Sequence, residues 1–245
     1  MSNEKSTVLI TGSARGIGLA LVEAYASRDW RVIATCRSAQ AADELQQFSE
    51  GRDNVDLRVL DVRDQDAIDR LADSLSDTPI DVLLNNAGYL GAPDKQSADK
   101  LDYETFVEVM QVNTFAPLAM SLAFLEHVER SKQKKIVTLT SGLSSVANTN
   151  QFGNLYFYRA SKAGLNVAMR AFQADIRERG IICAVVAPGI VDTGLLAESG
   201  YQGEALDPKA SAEALVGVIE ELTENTACLL YTSDAADEDC LVGGG

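Results

Sequence analysis

Seven short apolar runs, each separated from the next by a helical pattern, constrain this fold more than any other feature of the sequence. They are TVLI (7–10), RVIAT (31–35), VDLRVL (55–60), DVLLN (81–85), KIVTLT (135–140), ICAVVA (182–187) and ACLLY (227–231). Continuous apolar, β-branched runs suit strands buried on both faces, as in a parallel sheet covered by helices. The intervening stretches read as helices at about 16–28, 39–50, 65–76, 101–129, 158–179 and 210–223. In the first of these, Ile17, Ala20, Leu21, Ala24 and Tyr25 fall on one stripe. Asp64, and Asp207 followed by Pro208, stand where helix starts belong. The alternation predicts a single-domain α/β fold, a doubly wound parallel sheet of about seven strands flanked by helices; strand count alone leaves a barrel open.

Composition narrows the function. Of 245 residues 46% are hydrophobic, enough for one large core, and no repeat or linker divides them. A formal charge of −15 argues against non-specific binding to nucleic acid or to an anionic membrane. No apolar run reaches the ~18 residues of a membrane span. The N-terminal MSNEKST lacks a basic region followed by an apolar one, so no signal peptide is expected. Cys36, Cys183, Cys228 and Cys240 form no CxxC pair and His127 is the one histidine, which points to reduced thiols in a cytoplasmic protein and no metal site. His127, in the polar stretch HVERSKQKK, reads as a surface residue at a helix end. Beyond the domain assigned to residues 1–231, residues 232–245 read as a disordered or non-native tail of small and acidic residues ending in three glycines. The string LLYTSDAADE resembles translated sequencing-adapter sequence, so the native C-terminus is expected to be truncated here.

The first strand runs into TGSARGIG, Thr11 to Gly18. Gly12, Gly16 and Gly18 do not follow the GxGxxG spacing, yet the physics is shared: glycines let the backbone approach a pyrophosphate, and the next helix points its free N–H groups at the anion. Ser13, Arg15 and Ile17 belong to the same loop. An ordinary glycine turn is the alternative, and position at the first strand–helix junction favours phosphate. Where an NAD enzyme often carries an acidic residue to hold the adenosine ribose, this chain has Cys36 and Arg37. Arg37 can clamp a 2′-phosphate with its planar fork, and Arg15 can approach from the glycine loop. Both favour NADP(H), with NAD(H) left open; two solvated arginines are the alternative. Asp61 can accept from an adenine amino group, and Val62 can offer a backbone N–H.

In YFYRASK, Tyr156 to Lys162, one phenol has a cation a turn away. Tyrosine titrates near pKa ~10, and a fixed cation lowers that value. On a helix, i and i+4 share a face, which pairs Tyr158 with Lys162 and Tyr156 with the uncharged Ala160. A surface tyrosine beside a solvated lysine is the alternative reading.

Taken in order, TGSARGIG, Asp61-Val62, NNAG at 85–88, Asn113, the serine after KIVTLT, YRASK at 158–162 and PGIVDT at 188–193 resemble the short-chain dehydrogenase/reductase family over roughly residues 7–195. ATCR, NNAG followed by Tyr-Leu, and YRASKAGLN are most similar to its sniffer/C-factor carbonyl-reductase branch. The resemblance implies a Rossmann fold and a catalytic set of Asn113, Ser141, Tyr158 and Lys162. Tyr158 would protonate a carbonyl oxygen as hydride arrives. Lys162 would lower the tyrosine pKa and bind the nicotinamide ribose. Ser141, preferred to Ser144 and Ser145 because it follows the strand at once, would hold the substrate oxygen. Asn113, within the helix 101–129, would hold a water for reprotonation. Asn85, Ala87 and Gly88 would approach the adenosine ribose, and Pro188, Gly189, Ile190 and Thr193 would border the nicotinamide. Leu90, Val146, Phe152, Leu195, Leu196 and Tyr201 would meet a small aldehyde, ketone or alcohol. A homodimer or homotetramer is implied, with Met110, Phe115, Leu118 and Met120 available for contact or, equally, for the core. The competing implication is an idle dinucleotide-binding redox sensor or signalling protein.

Overall fold

The apolar runs become strands because both of their faces find cover. A computed structural model describes residues 5–38, 40, 42–149, 153–223 and 230–232. The strands β1 (Thr7–Ile10), β2 (Arg31–Cys36), β3 (Val55–Val59), β4 (Val82–Asn85), β5 (Lys135–Leu139), β6 (Ile182–Ala187) and β7 (Leu230–Thr232) form one sheet. Its order is β3-β2-β1-β4-β5-β6-β7, parallel throughout. Helices α1 (Gly16–Ser27), α2 (Asp43–Ser49) and α9 (Pro208–Glu221) flank it, as do α3 (Gln65–Ser74), α4 (Tyr103–Met110), α5 (Ala116–Ala123), α6 (Leu125–Glu129), α7 (Tyr156–Ile176) and α8 (Gly194–Ser199). Strand residues alternate between two cores. Val8, Ile10, Val32 and Val137 join Leu21, Tyr25 and Leu215 of α1 and α9. Leu9, Ile33, Leu83 and Ile136 join Leu71, Leu165 and Met169 of α3 and α7, with Phe124. Helices cover both faces, so the sheet is doubly wound. Strand order reverses between β1 and β4, where such folds open a crevice at the C-terminal strand ends.

Local signals hold where they are local. Asp64 Oδ1 accepts from Ala67 N at 3.0 Å, and Asp207 Oδ1 accepts from Lys209 N at 2.8 Å and Ala210 N at 3.2 Å, so both aspartates cap helices as expected. The opposite edge of the sheet is closed by buried charge. The Asp81 carboxylate accepts from Thr7 N, Lys132 N and Gln133 N, and Lys135 Nζ donates to the Ile219 and Glu220 carbonyls at the end of α9.

Four expectations are corrected. The helix expected over 101–129 is divided: α4 passes into a π-helical turn, Gln111–Phe115, and Phe124 leaves helical geometry (φ −97°, ψ 8°) between α5 and α6. Pro117 accounts for the π turn, because it has no N–H to donate to the Asn113 carbonyl four residues back. The next helix begins at Tyr156, two residues earlier than expected, and α8 was not foreseen. His127 is buried, not on the surface: after the break at Phe124 the chain turns inward, and Nε2 lies 3.1 Å from the Ala72 carbonyl. Burial lowers its pKa. Met120, open to subunit contact or core, is core, whereas Phe115 is exposed. The last strand is found at Leu230–Thr232; residues 233–245 of the tail, with Phe152, Cys228 and Cys240, lie outside the described residues.

Two glycines test how tightly the crevice is built. A Cβ on Gly18 would stand 2.2 Å from the Gly12 carbonyl oxygen and 2.6 Å from Asn86 Nδ2, whereas one on Gly217 in α9 would meet nothing within 4 Å. Gly18→Ala is expected to cost about 1–3 kcal/mol by overpacking. Gly217→Ala should gain up to about 1 kcal/mol through helix propensity. Denaturant midpoints measure both, and shifts of the same sign would contradict the packing.

Candidate active site

The glycine loop is bolted to the end of β4. Gly12 (φ 69°) and Gly16 (φ 58°) take left-handed backbone, which glycine adopts without strain. Asn86 Nδ2 donates to the Thr11 and Gly12 carbonyls at 2.8 and 3.0 Å, while Thr11 Oγ1 accepts from the N–H groups of Asn86 and Ala87 at 3.1 Å each. A Cβ on Gly12 would meet the Ala87 Cα at 2.8 Å. Ser13 is buried, its hydroxyl donating to the Ile10 carbonyl and its N–H to that of Thr35, so it shapes the loop from within. Ile17 packs on the core. The N-terminus of α1 has no side-chain cap. An uncapped twelve-residue helix behind a glycine loop fits a pyrophosphate.

At the adenosine end Arg63 grips the Asp61 carboxylate, Nε to Oδ1 at 3.0 Å and Nη2 to Oδ2 at 2.7 Å, and this bond foremost lowers the carboxyl pKa. The exposed Arg37 adds a smaller pull on the same carboxylate. Arg15 lies over the start of α8, where a Gly194 Cβ would be 3.3 Å from its Nη1. The two guanidiniums expected to share a phosphate are therefore held by different segments. Asn85 turns its donors into the core, toward Ser121 Oγ at 3.2 Å and Thr138 Oγ1 at 3.4 Å. Its buried Oδ1 has no hydrogen-bond partner among the described residues. It lines a narrow crevice with Val62, Ala87 and Pro117.

Helix α7 carries Tyr158, Lys162 and Asn166 at successive i+4 positions, one above the other. The Tyr158 ring is 6% exposed, packed with Leu90 and Leu155 beneath Leu143 and Leu195. Burial raises the phenol's pKa, and the Ser141 hydroxyl brings it partway down. Lys162, also buried, donates from Nζ to the Leu139 carbonyl at 2.8 Å, and desolvation lowers its pKa to about 8. Ser141 thus pulls the phenol down, while Lys162 gives one of its three N–H groups to a carbonyl. Ser144 is held by Asn166 Nδ2 at 3.0 Å, which leaves Ser141 as the serine paired with the phenol. Asn166 also accepts from Thr140 Oγ1 at 2.7 Å, so it brackets Ser141 on both sides.

Asn113 sits in the π turn, fully buried. Oδ1 accepts from Tyr89 N at 2.8 Å, and Nδ2 donates to the Tyr89 carbonyl at 2.8 Å and to Ser161 Oγ at 3.0 Å. With both N–H donors used, its amide ties the NNAG loop to α7. A Gly88 Cβ would lie 3.7 Å from Asn113 Oδ1 and 4.0 Å from Lys162 Nζ, which brings these three residues together. On the far side, Pro188 accepts from Ser211 Oγ, Gly189 takes φ 82°, and the Ile190 carbonyl accepts from Leu206 N. Thr193 Oγ1 caps α8 by accepting from Leu196 N at 3.3 Å, which leaves its own O–H to donate. Thr193 also meets the glycine loop, 3.1 Å from where a Gly16 Cβ would be. Of the apolar residues expected to meet a substrate, Leu90 is core and Val146 points outward at 85% exposure. Asn86, Asn166 and Gln96, whose amide oxygen accepts from Tyr158 N at 3.1 Å, were missed. Two of them stood inside motifs already noticed, NNAG and YRASKAGLN.

A doubly wound parallel sheet with a glycine loop at its switch point and a Tyr–Lys helix beside it defines a dinucleotide-binding oxidoreductase of the Rossmann type. The model of the short chain dehydrogenase family matches residues 6–203, and the chain belongs to that family. It is 32% identical over 215 residues to a 3-oxoacyl-(acyl-carrier-protein) reductase of Mycobacterium avium, covering 85% of this chain and 73% of the relative. Among solved structures, the NADPH-bound carbonyl reductase from chicken fatty liver superposes with a TM-score of 0.85 at 29% identity, covering 94% of this chain and 97% of the other. The Sniffer carbonyl reductase of D. melanogaster gives 0.82 at 28%, with the same coverage. A Pseudomonas aeruginosa carbonyl reductase in complex with NADP gives 0.80 at 28%, covering 93% and 96%. No described helix is long and apolar enough to cross a membrane, and the described residues contain no His/Cys/Asp/Glu cluster that could hold a metal.

The lowered pKa of Lys162 has a measurable consequence for stability. Between about pH 8 and 10.5 the unfolded chain keeps this proton and the folded chain does not, so stability rises with pH across that window. The contribution is complete above 10.5 and is lost as pH falls through about 8. Lys162→Met removes it. The variant's stability minus that of the wild type should therefore fall by about 3 kcal/mol from pH 7.5 to 10.5 in urea titrations. A constant difference would show that Lys162 titrates normally.

Proposed function

We propose that the protein is an NADP(H)-dependent carbonyl reductase that moves a hydride to or from a small aldehyde, ketone or alcohol, with Tyr158 as the general acid and base. The observation that carries this reading is the burial of the Tyr158 phenol one helical turn from the equally buried Lys162 ammonium, with Ser141 at the end of β5 easing the phenol's pKa downward. The Ser141 hydroxyl and the phenol would together meet one carbonyl oxygen. Tyr158, kept protonated by burial, donates its proton to that oxygen, and Ser141 stabilises the charge developing there. In the alcohol-oxidising direction the same phenolate takes the proton back. The Lys162 ammonium stands one helical turn from the phenolate left behind. Leu143 and Leu195, half-buried against the ring, would line the approach of a substrate to the phenol.

The chain's own residues fit a dinucleotide. Gly12, Gly16, Gly18 and the uncapped start of α1 would hold the pyrophosphate, with Arg15 beside them. Arg37 would meet a 2′-phosphate, and Asp61, Val62, Asn85 and Ala87 would border the adenosine. Gly88, Lys162, Pro188, Gly189, Ile190 and Thr193 would border the nicotinamide. When bound, the dinucleotide supplies the hydride. NADP(H) is preferred because β2 ends in Cys36-Arg37 without a carboxylate, and because the chicken and Pseudomonas structures carry NADPH and NADP. Cytoplasmic placement is part of this reading. So is self-association, for which the exposed Tyr103, Phe106 and Phe115 offer a face.

Tyr158→Phe should lower NADPH-dependent carbonyl reduction by about 10²–10⁴-fold while NADPH fluorescence still reports binding. Tyr156→Phe should keep most activity, since Tyr156 has no part in the Ser141 pair. Equal losses would remove the assignment, and NADPH binding without turnover across a carbonyl panel would favour the sensor. Arg37→Asp should move preference toward NADH; an unchanged ratio of kcat/KM for the two coenzymes would take Arg37 out of the phosphate site.

A further inference from the structure

We propose that Gln96 is a positioning residue for Tyr158: its buried amide caps α7 from 62 residues away and holds the phenol in register with Ser141. The inference rests on the proposed role of Tyr158. Helix α7 begins without a cap of its own. Leu155, in the cap position, has left-handed backbone (φ 57°) and no side chain that could accept from the first turn. The first N–H groups of a helix lack internal partners, and an end without a cap frays. Tyr158 sits in that first turn, the least secure part of any helix, yet its phenol must meet a serine fixed at the end of β5.

Gln96 supplies what Leu155 cannot. It is 0% exposed. Its side-chain Oε1 accepts from Tyr158 N at 3.1 Å, and its main-chain oxygen accepts from Tyr156 N at 3.2 Å. Its Nε2 donates to the Leu90 carbonyl at 2.8 Å and toward the Ala92 carbonyl at 3.5 Å. One amide therefore joins the loop after β4, whose Leu90 packs on the Tyr158 ring, to the turn that carries that ring. The loop is shaped around it: Gly91 takes φ 76°, and a Cβ there would stand 2.9 Å from Gln96 Nε2. Among the described residues no other side chain is recorded accepting from the first turn of α7.

The decisive variant is Gln96→Glu, which keeps the shape and changes only the donors. A neutral carboxyl there can donate to the Leu90 carbonyl and accept from Tyr158 N. An ionised one must face the Leu90 and Ala92 carbonyls with no proton to offer. Its kcat should match that of the wild type at low pH and fall about tenfold or more as the new carboxyl ionises, at a pH above the ordinary ~4.3 because the site is buried. The KM for NADPH should stay constant across that step, and the wild-type profile should lack it. Gln96→Leu should lose kcat at every pH; if it yields no folded protein, the Gln96→Glu titration decides alone. Superimposable kcat profiles for wild type and Gln96→Glu would overturn the proposal. So would a kcat loss that tracks loss of folded protein by circular dichroism, since that is a purely structural role. Tyr158→Phe measured alongside separates the two readings. An active Tyr158→Phe overturns the proton-donor assignment, whereas an inactive one with no pH step in Gln96→Glu overturns the Gln96 proposal only.

Discussion

A parallel sheet must be covered on both faces, and every distinctive feature of this molecule follows from how that cover is provided. Each crossover carries a helix to one face or the other, so the loops that leave the strands gather at their C-terminal edge. Order reverses between β1 and β4, and the loops after these two strands diverge around the crevice. The other edge is sealed by Asp81, which satisfies three backbone N–H groups, and by Lys135 on the end of α9. Buried charge there is structural. At the open edge it is left for chemistry.

The open edge is assembled by backbone approaching backbone. Gly12 against Ala87 and Gly18 against the Gly12 carbonyl leave no room for a Cβ. Side-chain amides then lock the approaching segments: Asn86 joins the loops after β1 and β4, Asn113 joins the NNAG loop to α7, and Asn166 holds the Ser141 segment. An amide suits this work because it offers donors and an acceptor without a charge whose burial would be costly.

The same division explains what could be read in the sequence. Strand positions were legible to within about three residues because two-face burial writes itself as an uninterrupted apolar run. The caps Asp64 and Asp207 were legible because a cap acts on its own helix. The start of α7 was not, since its cap lies at Gln96, far off in the chain. The break in 101–129 was written in Pro117, but the apolar pattern continues through it and hides it. His127 was misread from its polar neighbours, because the turn at Phe124 that buries it is a tertiary event. Tyr158, Lys162 and Ser141 could be named from spacing and resemblance, while their electrostatics could not. Spacing gives a distance along a helix and says nothing of burial or of the Leu139 carbonyl that engages the ammonium.

That electrostatic difference bears on how the pair works. Burial pushes phenol and ammonium alike toward their neutral forms, the phenol upward and the lysine down to about 8. A site closed in this way therefore keeps the proton on Tyr158 and holds the lysine charge only loosely near neutral pH. The state favoured in the closed site is thus the proton-loaded one that carbonyl reduction requires, while removal of that proton calls for a cation nearby or a wetter site. Ser141 eases the phenol downward without adding charge. The balance between a serine hydroxyl and a carbonyl-bound ammonium, set by how deeply phenol and ammonium are buried, then biases which direction of proton transfer is the easier.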